Sequence, residues 1–206
     1  MCMTKVKICG LKRLEDVSYV NEAKPDYVGF VFWDKSKRNV SFDFAREMRE
    51  ALNSDIKSVG VFVDRDIDDI IYLVDEGIIS VVQLHGKETD EVIEIIRSKT
   101  SKDVEIIKAF EVNDESDVLR ANKSSADLVL IDSGKGSGST FDWGLLNKID
   151  RDYFLAGGLS ADNIQKAITE LKPYAVDVSS KVETEGFKDK IKIMEFCDKV
   201  RNAQMS

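Results

Sequence analysis

The feature that most constrains the fold is a regular alternation of short apolar runs and amphipathic segments along all 206 residues. The runs are rich in β-branched and aromatic residues, which favours strands, and the segments between them have the apolar spacing of helices. The predicted strands cover residues 5–9, 27–32, 57–63, 80–84, 104–110, 127–132, 153–156 and 175–178. The predicted helices cover residues 14–23, 42–52, 66–75, 89–98, 160–171 and 188–202, with shorter segments after the fifth and sixth strands.

Strands that alternate with helices pair in parallel, because each helix returns the chain to the same end of the sheet. Eight such units at nearly regular intervals occupy the whole chain. We therefore expect a closed (β/α)8 TIM barrel rather than an open doubly wound sheet. The chain has only 2 prolines and no low-complexity linker, so residues 1–206 are predicted to form a single domain with short loops.

The composition excludes several classes of function. A net charge of −8 argues against a nucleic acid or anionic membrane partner, but leaves an anionic small molecule as a candidate ligand. No apolar stretch is long enough to cross a bilayer, and the N-terminus lacks a signal-peptide core. The 3 separated cysteines predict neither disulfides nor a zinc site, and 1 histidine excludes a site of several histidines. A cytoplasmic location is expected.

The C-terminal strand ends of such a barrel carry its chemistry. Alternation along the first strand turns Val6 and Ile8 toward the helices, and Lys7 and Cys9 toward the barrel axis. The same alternation in the fourth and eighth strands turns further polar residues inward, namely Gln83, His85, Asp177 and Ser179. A purely structural barrel would fill these positions with branched apolar side chains, so we predict a functional mouth.

Cys9 and Asp132 are the candidates for acid–base chemistry. A cysteine is most often a small buried apolar residue. Here, however, Lys7 shares the face of Cys9, and a nearby cation lowers a thiol pKa toward neutrality. Cys197, by contrast, lies in an apolar stretch of the last helix and is predicted to be core. Asp132 ends the sixth strand, and is either a cap for the next loop or the acid partner of the thiol.

Anion-binding candidates follow the second, seventh and eighth strands. Gly157 and Gly158 precede a helix whose predicted N-cap is Ser160, and bare amides at such a place bind anions. The loops after strands seven and eight are the usual phosphate site of these barrels. Arg38, in the loop after the second strand, is either solvated or holds a carboxylate with two hydrogen bonds.

Eight stretches in order resemble the phosphoribosylanthranilate isomerase family. They are "KICGLKRLEDV", "YVGFVFWDKSKRNVS", "VGVFVD", "VVQLHG", "IKAF", "LIDS…GSGSTFDW", "LAGGLSADNI" and "VDVSSKVE…GFKDKIKI…F". Each is weak alone, but the ordered set is specific and spans nearly the whole chain. The resemblance implies a (β/α)8 barrel that needs no metal or cofactor. It also implies an Amadori rearrangement in tryptophan biosynthesis, from N-(5-phosphoribosyl)anthranilate to 1-(2-carboxyphenylamino)-1-deoxyribulose 5-phosphate.

The resemblance also implies roles for individual residues. Cys9 would be the general base at the ribose C2′, and Asp132 the general acid at the ring oxygen. Arg38 would hold the anthranilate carboxylate. The further substrate-binding residues are predicted to be Lys7, Gln83 and His85. The predicted phosphate-binding residues are Gly136, Gly138, Gly157, Gly158, Ser179 and Ser180.

The sequence departs from the family pattern at three places. Lys37 stands where proline usually precedes the arginine, and the glycine pair of the loop after strand six is reduced to Gly136. Lys181 stands where glycine often follows the paired serines. Its side chain is predicted either to contact phosphate or to disturb the backbone that binds it.

Two alternatives remain. The first is another phosphosugar barrel enzyme, which fits the sequence less well. Epimerases need several metal-binding histidines, and indole-glycerol-phosphate synthase needs lysine and glutamate where Cys9 and Asp132 stand. A non-catalytic barrel that binds a phosphorylated metabolite is the second alternative, although such a binder would be free to lose both residues. The assembly is predicted to be a monomer or a homodimer.

Overall fold

The computed structural model describes residues 3–132 and 143–203. Eight parallel strands close into a barrel in which each strand pairs with the next, and the first pairs with the eighth. The strands are β1 (Lys5–Cys9), β2 (Tyr27–Phe32), β3 (Lys57–Phe62), β4 (Val81–Leu84), β5 (Glu105–Glu111), β6 (Leu128–Asp132), β7 (Tyr153–Ala156) and β8 (Ala175–Val178). This closure confirms the predicted (β/α)8 fold.

A helix follows each strand of the barrel. The helices are α1 (Leu14–Ala23), α2 (Phe42–Ala51), α3 (Ile67–Asp75), α4 (Asp90–Lys99), α5 (Glu115–Lys123), α6 (Trp143–Leu146), α7 (Ile164–Leu171) and α8 (Lys190–Asn202). Within the described part of the chain, no helix has the length and apolar character needed to cross a membrane. Apart from the starts of α7 and α8, the predicted strand and helix ends agree with the structure to within one residue.

Two apolar clusters divide the interior, one on each face of the sheet. The larger lies between the strands and the helices and includes Val6 and Ile8 of β1. The smaller fills the inside of the barrel and includes Val61, Leu130 and Phe154. Side chains alternate between the two faces of a strand, so each strand contributes to both clusters. The predicted outward orientation of Val6 and Ile8 is confirmed.

The predicted start of α7 is wrong. The helix begins at Ile164, and Asn163 occupies the N-cap position without a side-chain cap. Ser160 instead closes a turn before the helix, because its hydroxyl oxygen accepts a hydrogen bond from the Asp162 N–H at 3.3 Å. Serine hydroxyls satisfy turns as readily as helix caps, so the sequence signal was ambiguous.

The predicted start of α8 is also wrong, because an antiparallel hairpin precedes it. The hairpin consists of β9 (Glu183–Thr184) and β10 (Phe187–Lys188), and it follows a 3₁₀ turn at Ser180–Val182. Glu185 and Gly186 join the strands with φ of 52° and 79°, as a two-residue hairpin turn requires. Lys188, predicted to be helical, therefore lies in a strand.

Candidate active site

A cavity of about 230 Å³ opens at the C-terminal ends of the barrel strands. Strands β1, β3, β4, β6, β7 and β8 contribute to its wall. Eight of the predicted site residues line it, namely Cys9, Gln83, His85, Asp132, Gly157, Gly158, Ser179 and Ser180. Gly136 and Gly138 lie outside the described residues. Lys7 and Arg38 are not on the wall of the cavity as the described residues define it.

Cys9 ends β1 beside Gly29 of β2, its partner in the parallel register. An ideal Cβ on Gly29 would lie 2.7 Å from the Cys9 Sγ, so only glycine leaves room for the thiol. Burial raises the pKa of the thiol above its ordinary value, although the ammonium groups of Lys7 and Lys188 lower it. The prediction that Lys7 brings this pKa toward neutrality is therefore wrong: desolvation of the thiolate outweighs the cations.

We expect Gly29→Ala to displace the thiol without removing it. The new Cβ would also lie 3.1 Å from the Cys9 Cα, so either the thiol or the neighbouring strand has to move. A displacement of about 1 Å at a reacting group costs up to about 100-fold in rate, and overpacking costs about 1–3 kcal/mol of stability. We expect kcat to fall by about 10- to 100-fold, measured by steady-state kinetics alongside thermal unfolding.

Gly60→Ala is the matched control for this prediction. A Cβ on Gly60 would lie 2.7 Å from the Ile79 Cδ1 and 2.7 Å from the Phe62 ring, in the cluster between the sheet and the helices. The control should lose similar stability and keep its kcat. Equal losses of kcat in both variants would show that the rate responds to overpacking in general and not to the position of Cys9.

Lys7 forms a buried ion pair with Asp177 on the inside of the barrel. Its ammonium donates a hydrogen bond to the Asp177 Oδ2 at 2.8 Å, and the Lys7 side chain is 0% exposed. Burial lowers the pKa of Lys7, but the charges of Asp177 and Cys9 raise it by more, so the net shift is upward. Lys7 was predicted to bind substrate. In the structure Lys7 does not line the cavity that the described residues define, and its ammonium is paired with Asp177, which does line it.

Gln83 orients His85 on the wall of the cavity. The Gln83 Nε2 donates to the His85 Nδ1 at 2.9 Å. Burial lowers the pKa of His85, which favours the neutral ring, and a neutral ring that accepts at Nδ1 carries its hydrogen on Nε2. That nitrogen lies 4.0 Å from the Asp132 Oδ2. The histidine thus presents an N–H toward the carboxylate of the proposed acid.

Two residues that line the cavity each have a buried side-chain oxygen with no hydrogen-bond partner among the described residues. The two atoms are the Gln83 Oε1 and the Asp177 Oδ1. Leaving a buried acceptor unpaired costs about 1–3 kcal/mol. The sequence predicted that Asp177 points inward, but assigned it no function.

The far wall of the cavity consists of the segments after β7 and β8. Gly157 and Gly158 have φ of 89° and 66°, a conformation that side-chain-bearing residues rarely adopt. A Cβ on Gly158 would meet no atom within 4 Å, because that residue faces open space. The Ser179 hydroxyl donates to the Cys9 carbonyl at 3.0 Å and joins the ends of β8 and β1.

Lys181 lies in the 3₁₀ turn and lines the cavity beside Ser180. It is not among the described non-glycine residues with positive φ, which are Lys24, Asp64, Lys172 and Glu185. The position therefore accepts a side chain without backbone strain. Both predicted effects of Lys181, contact with phosphate and disturbance of the backbone that binds it, stay predictions.

Arg38 does not point freely into solvent. Its Nε and Nη2 donate to the two carboxylate oxygens of Glu183, each at 2.7 Å. The Lys188 ammonium donates to the Glu183 Oε1 at 2.7 Å. Burial would raise the pKa of Glu183, but hydrogen bonds from Arg38 and Lys188 lower it to about 2. Glu183 and Lys188 lie in segments that resemble the family pattern, but neither residue was predicted from the sequence to have a role.

Among the described residues, no cluster of histidine, cysteine, aspartate or glutamate side chains is arranged to hold a metal ion. The side chains that meet at the mouth are instead a thiol, a carboxylate and an imidazole, next to a glycine–serine segment. A closed parallel barrel with such groups at its C-terminal mouth defines a (β/α)8-barrel enzyme.

The chain belongs to the N-(5′-phosphoribosyl)anthranilate isomerase family, whose family model matches residues 6–199. It is 44% identical over 203 residues to the isomerase of Clostridium kluyveri, which covers 97% of this chain and 99% of the relative. It is 47% identical over 198 residues to that of Endomicrobium trichonymphae, covering 94% of this chain and 96% of the relative.

Solved structures of the same family are similar to this chain in fold as well. The crystal structure of phosphoribosyl anthranilate isomerase from Thermotoga maritima superposes with a TM-score of 0.88 at 37% identity, covering 97% of this chain and 100% of that chain. A phosphoribosyl anthranilate isomerase in complex with reduced 1-(o-carboxyphenylamino)-1-deoxyribulose 5-phosphate superposes with a TM-score of 0.85 at 36% identity, with the same coverage.

Proposed function

We propose that the protein isomerises N-(5-phosphoribosyl)anthranilate to 1-(2-carboxyphenylamino)-1-deoxyribulose 5-phosphate in tryptophan biosynthesis, within a single domain of residues 1–206. The observation that carries the proposal is one cavity, in a barrel of this family, that brings Cys9 and Asp132 together with the Gly157–Gly158 and Ser179–Ser180 segments. Substrate and product are isomers, so the reaction requires groups that move protons within one bound molecule.

The reaction begins at Asp132, at the end of β6. Its carboxylic acid donates a proton to the furanose ring oxygen, and the bond between that oxygen and C1′ breaks. The nitrogen lone pair of the anthranilate forms a C1′=N bond at the same time, which gives a positively charged iminium. The ring is then open, and the proton at C2′ is acidic because the iminium accepts the electrons that its removal releases.

Cys9 then acts as the base from the β1 side. Its thiolate removes the C2′ proton, and the electrons form an enolamine. Return of a proton to C1′ and loss of the 2′-hydroxyl proton give the ketone, so no proton is gained or lost overall. The raised pKa of the thiol fits this order, because the iminium supplies a cation next to Cys9 only when the base is needed.

The other cavity residues hold the substrate in place. Its ribose hydroxyls lie against the polar side chains of Gln83 and Asp177 on the cavity wall. The phosphate lies against the amides of Gly157 and Gly158 and the Ser180 segment, next to the positive charge of Lys181. Arg38 binds the anthranilate carboxylate with the guanidinium edge that Glu183 leaves accessible.

The proposal is tested by turnover of phosphoribosylanthranilate with purified protein, followed by the loss of anthranilate fluorescence. We expect saturable activity that is lost when both Cys9 and Asp132 are replaced. Wild-type protein that binds the reduced product analogue but does not turn over substrate would support the alternative, a non-catalytic barrel that binds a phosphorylated metabolite.

The proposal extends to the cellular location and to the oligomeric state. We propose that the protein acts in the cytoplasm on a phosphorylated small molecule, with no nucleic acid or membrane partner, as a monomer or a homodimer. One similar structure, at 36% identity, is described as a monomer generated from a dimeric isomerase of Thermotoga maritima. Sedimentation of the purified protein would decide between the two states.

A further inference from the structure

Glu183 sits between two cations at the edge of the barrel mouth. Its carboxylate receives two hydrogen bonds from Arg38 and one from Lys188, each at 2.7 Å. One carboxylate and two cations leave a single net positive charge on the cluster. The side chains of Glu183 and Lys188 are 7% and 1% exposed, whereas that of Arg38 is 29% exposed. The uncompensated charge is therefore accessible on the guanidinium.

The Arg38 side chain is held from a second direction by Gly10. This glycine has a φ of 86°, and a Cβ placed on it would lie only 2.3 Å from the Arg38 Cδ. The stem of the arginine therefore crosses the bare backbone just after Cys9. Contact with Gly10 on the stem and with Glu183 on the Nε–Nη2 edge fixes the plane of the guanidinium.

The outer part of the guanidinium remains available. Among the residues that the structure describes, Nη1 of Arg38 donates no hydrogen bond. A planar guanidinium binds carboxylates along two edges, and Glu183 occupies one of them. The edge that joins Nη1 and Nη2 can receive a second carboxylate, whose charge would balance the cluster.

The hairpin that carries Glu183 is also fixed to the strand that carries the proposed base. The Lys188 ammonium donates to the Ser179 carbonyl at 3.1 Å, and the Ser179 hydroxyl donates to the Cys9 carbonyl at 3.0 Å. The direction of the guanidinium is thus set relative to the end of β1 by a chain of hydrogen bonds.

We propose that Glu183 is a positioning residue that turns the Nη1–Nη2 edge of Arg38 toward the substrate carboxylate. The inference rests on the proposed function, in which Arg38 binds that carboxylate. Glu183 does not compete with the substrate for the arginine. It occupies the inner edge, so that only the outer edge can bind, and so selects ligands with a carboxylate at this end of the cavity.

The test compares two ligands that differ only in the carboxylate. One is reduced 1-(o-carboxyphenylamino)-1-deoxyribulose 5-phosphate, and the other is the same compound with an unsubstituted phenyl ring. Charge-assisted hydrogen bonds predict that the wild type prefers the first by about 10- to 100-fold in Kd. We expect Glu183→Gln to reduce this preference about tenfold, while its Kd for the phenyl analogue changes less than about threefold. Calorimetry measures both constants.

Three further variants complete the experiment. Arg38→Ala and the double variant Arg38→Ala/Glu183→Gln should show the same low preference, because Glu183 acts only through the arginine. Glu76→Gln is the matched control: it removes the partner of Arg46 in an exposed ion pair of 3.0 Å, and it should leave both constants unchanged. If Glu183→Gln does not fold, Glu183→Asp keeps the charge on a shorter side chain and should lower the preference by a smaller factor.

The outcomes separate this inference from the function on which it rests. Full preference in Glu183→Gln, with loss of preference in Arg38→Ala, would overturn the positioning role and leave the role of Arg38 intact. Equal weakening of both ligands in Glu183→Gln would overturn it too, because it would show a general structural effect. No preference in the wild type would remove both the positioning role and the proposed Arg38–carboxylate contact.

Discussion

Replacing Cys9 by serine is expected to lower kcat by about 10³-fold, because a positioned general base contributes about 10²- to 10⁴-fold. A hydroxyl is a far weaker acid than a thiol, so serine supplies almost no anionic base at neutral pH. The change is nearly isosteric, and Gly29 leaves the same space for either side chain. The measurement is steady-state turnover, with the Kd of the reduced product analogue as a check that the cavity is intact.

Cys197→Ala is the matched control for the cysteine chemistry. Cys197 is fully buried in α8, and burial raises the pKa of its thiol to about 12. Its replacement should lower the melting temperature and leave kcat unchanged, since this residue packs in the core and does not line the cavity. A Cys9→Ser variant that kept more than about a tenth of the wild-type kcat would place the base elsewhere.

Asp132→Asn should also lower kcat by about 10³-fold, because an amide cannot deliver a proton to the ring oxygen. Asparagine keeps the shape of the side chain, so binding of the reduced product analogue should change little. The losses of kcat in Cys9→Ser and Asp132→Asn should not multiply in the double variant, because both residues act in one sequence of proton transfers. Activity of Asp132→Asn close to that of the wild type would exclude Asp132 as the acid.

The single histidine provides an independent readout of the same substitution. The chain has 1 histidine, so its imidazole resonance in a tag-free protein is unambiguous. Burial lowers the pKa of His85, whereas the negative charge of Asp132, 4.0 Å away, raises it. We therefore expect the NMR titration of the wild type to lie below the ordinary value of 6.5, and that of Asp132→Asn to lie lower still. A shift in the opposite direction would contradict the arrangement of these groups.

The barrel and much of its mouth were predictable, because both depend on local patterns. The apolar alternation of β1 already requires that Val6 and Ile8 face the helices and that Cys9 faces inward. Gln83 of β4 and Asp177 of β8 follow from the same alternation. Parallel strands put their C-terminal ends at one edge, so the side chains at those ends had to meet.

Other features depended on information that local patterns do not carry. The pKa of Cys9 is raised because the closed barrel buries the thiol. Lys7, the nearby cation, forms an ion pair with Asp177. The pairing of Arg38 with Glu183 joins residues 145 positions apart in the chain. The hairpin turn at Glu185–Gly186 precedes the predicted helix 188–202, but the second strand of the hairpin extends to Lys188, so Lys188 was assigned to the wrong element.

The pairing of β1 with β8 also determines when the site comes into existence during protein synthesis. Lys7 meets Asp177, and Cys9 meets Ser179, across separations of 170 residues. Contacts of such length form late, because closing the intervening loop has an entropic cost that only the finished barrel offsets. A nascent chain therefore contains Cys9 long before the pocket around that residue can form. The segment of β8 must leave the ribosome before catalysis can start.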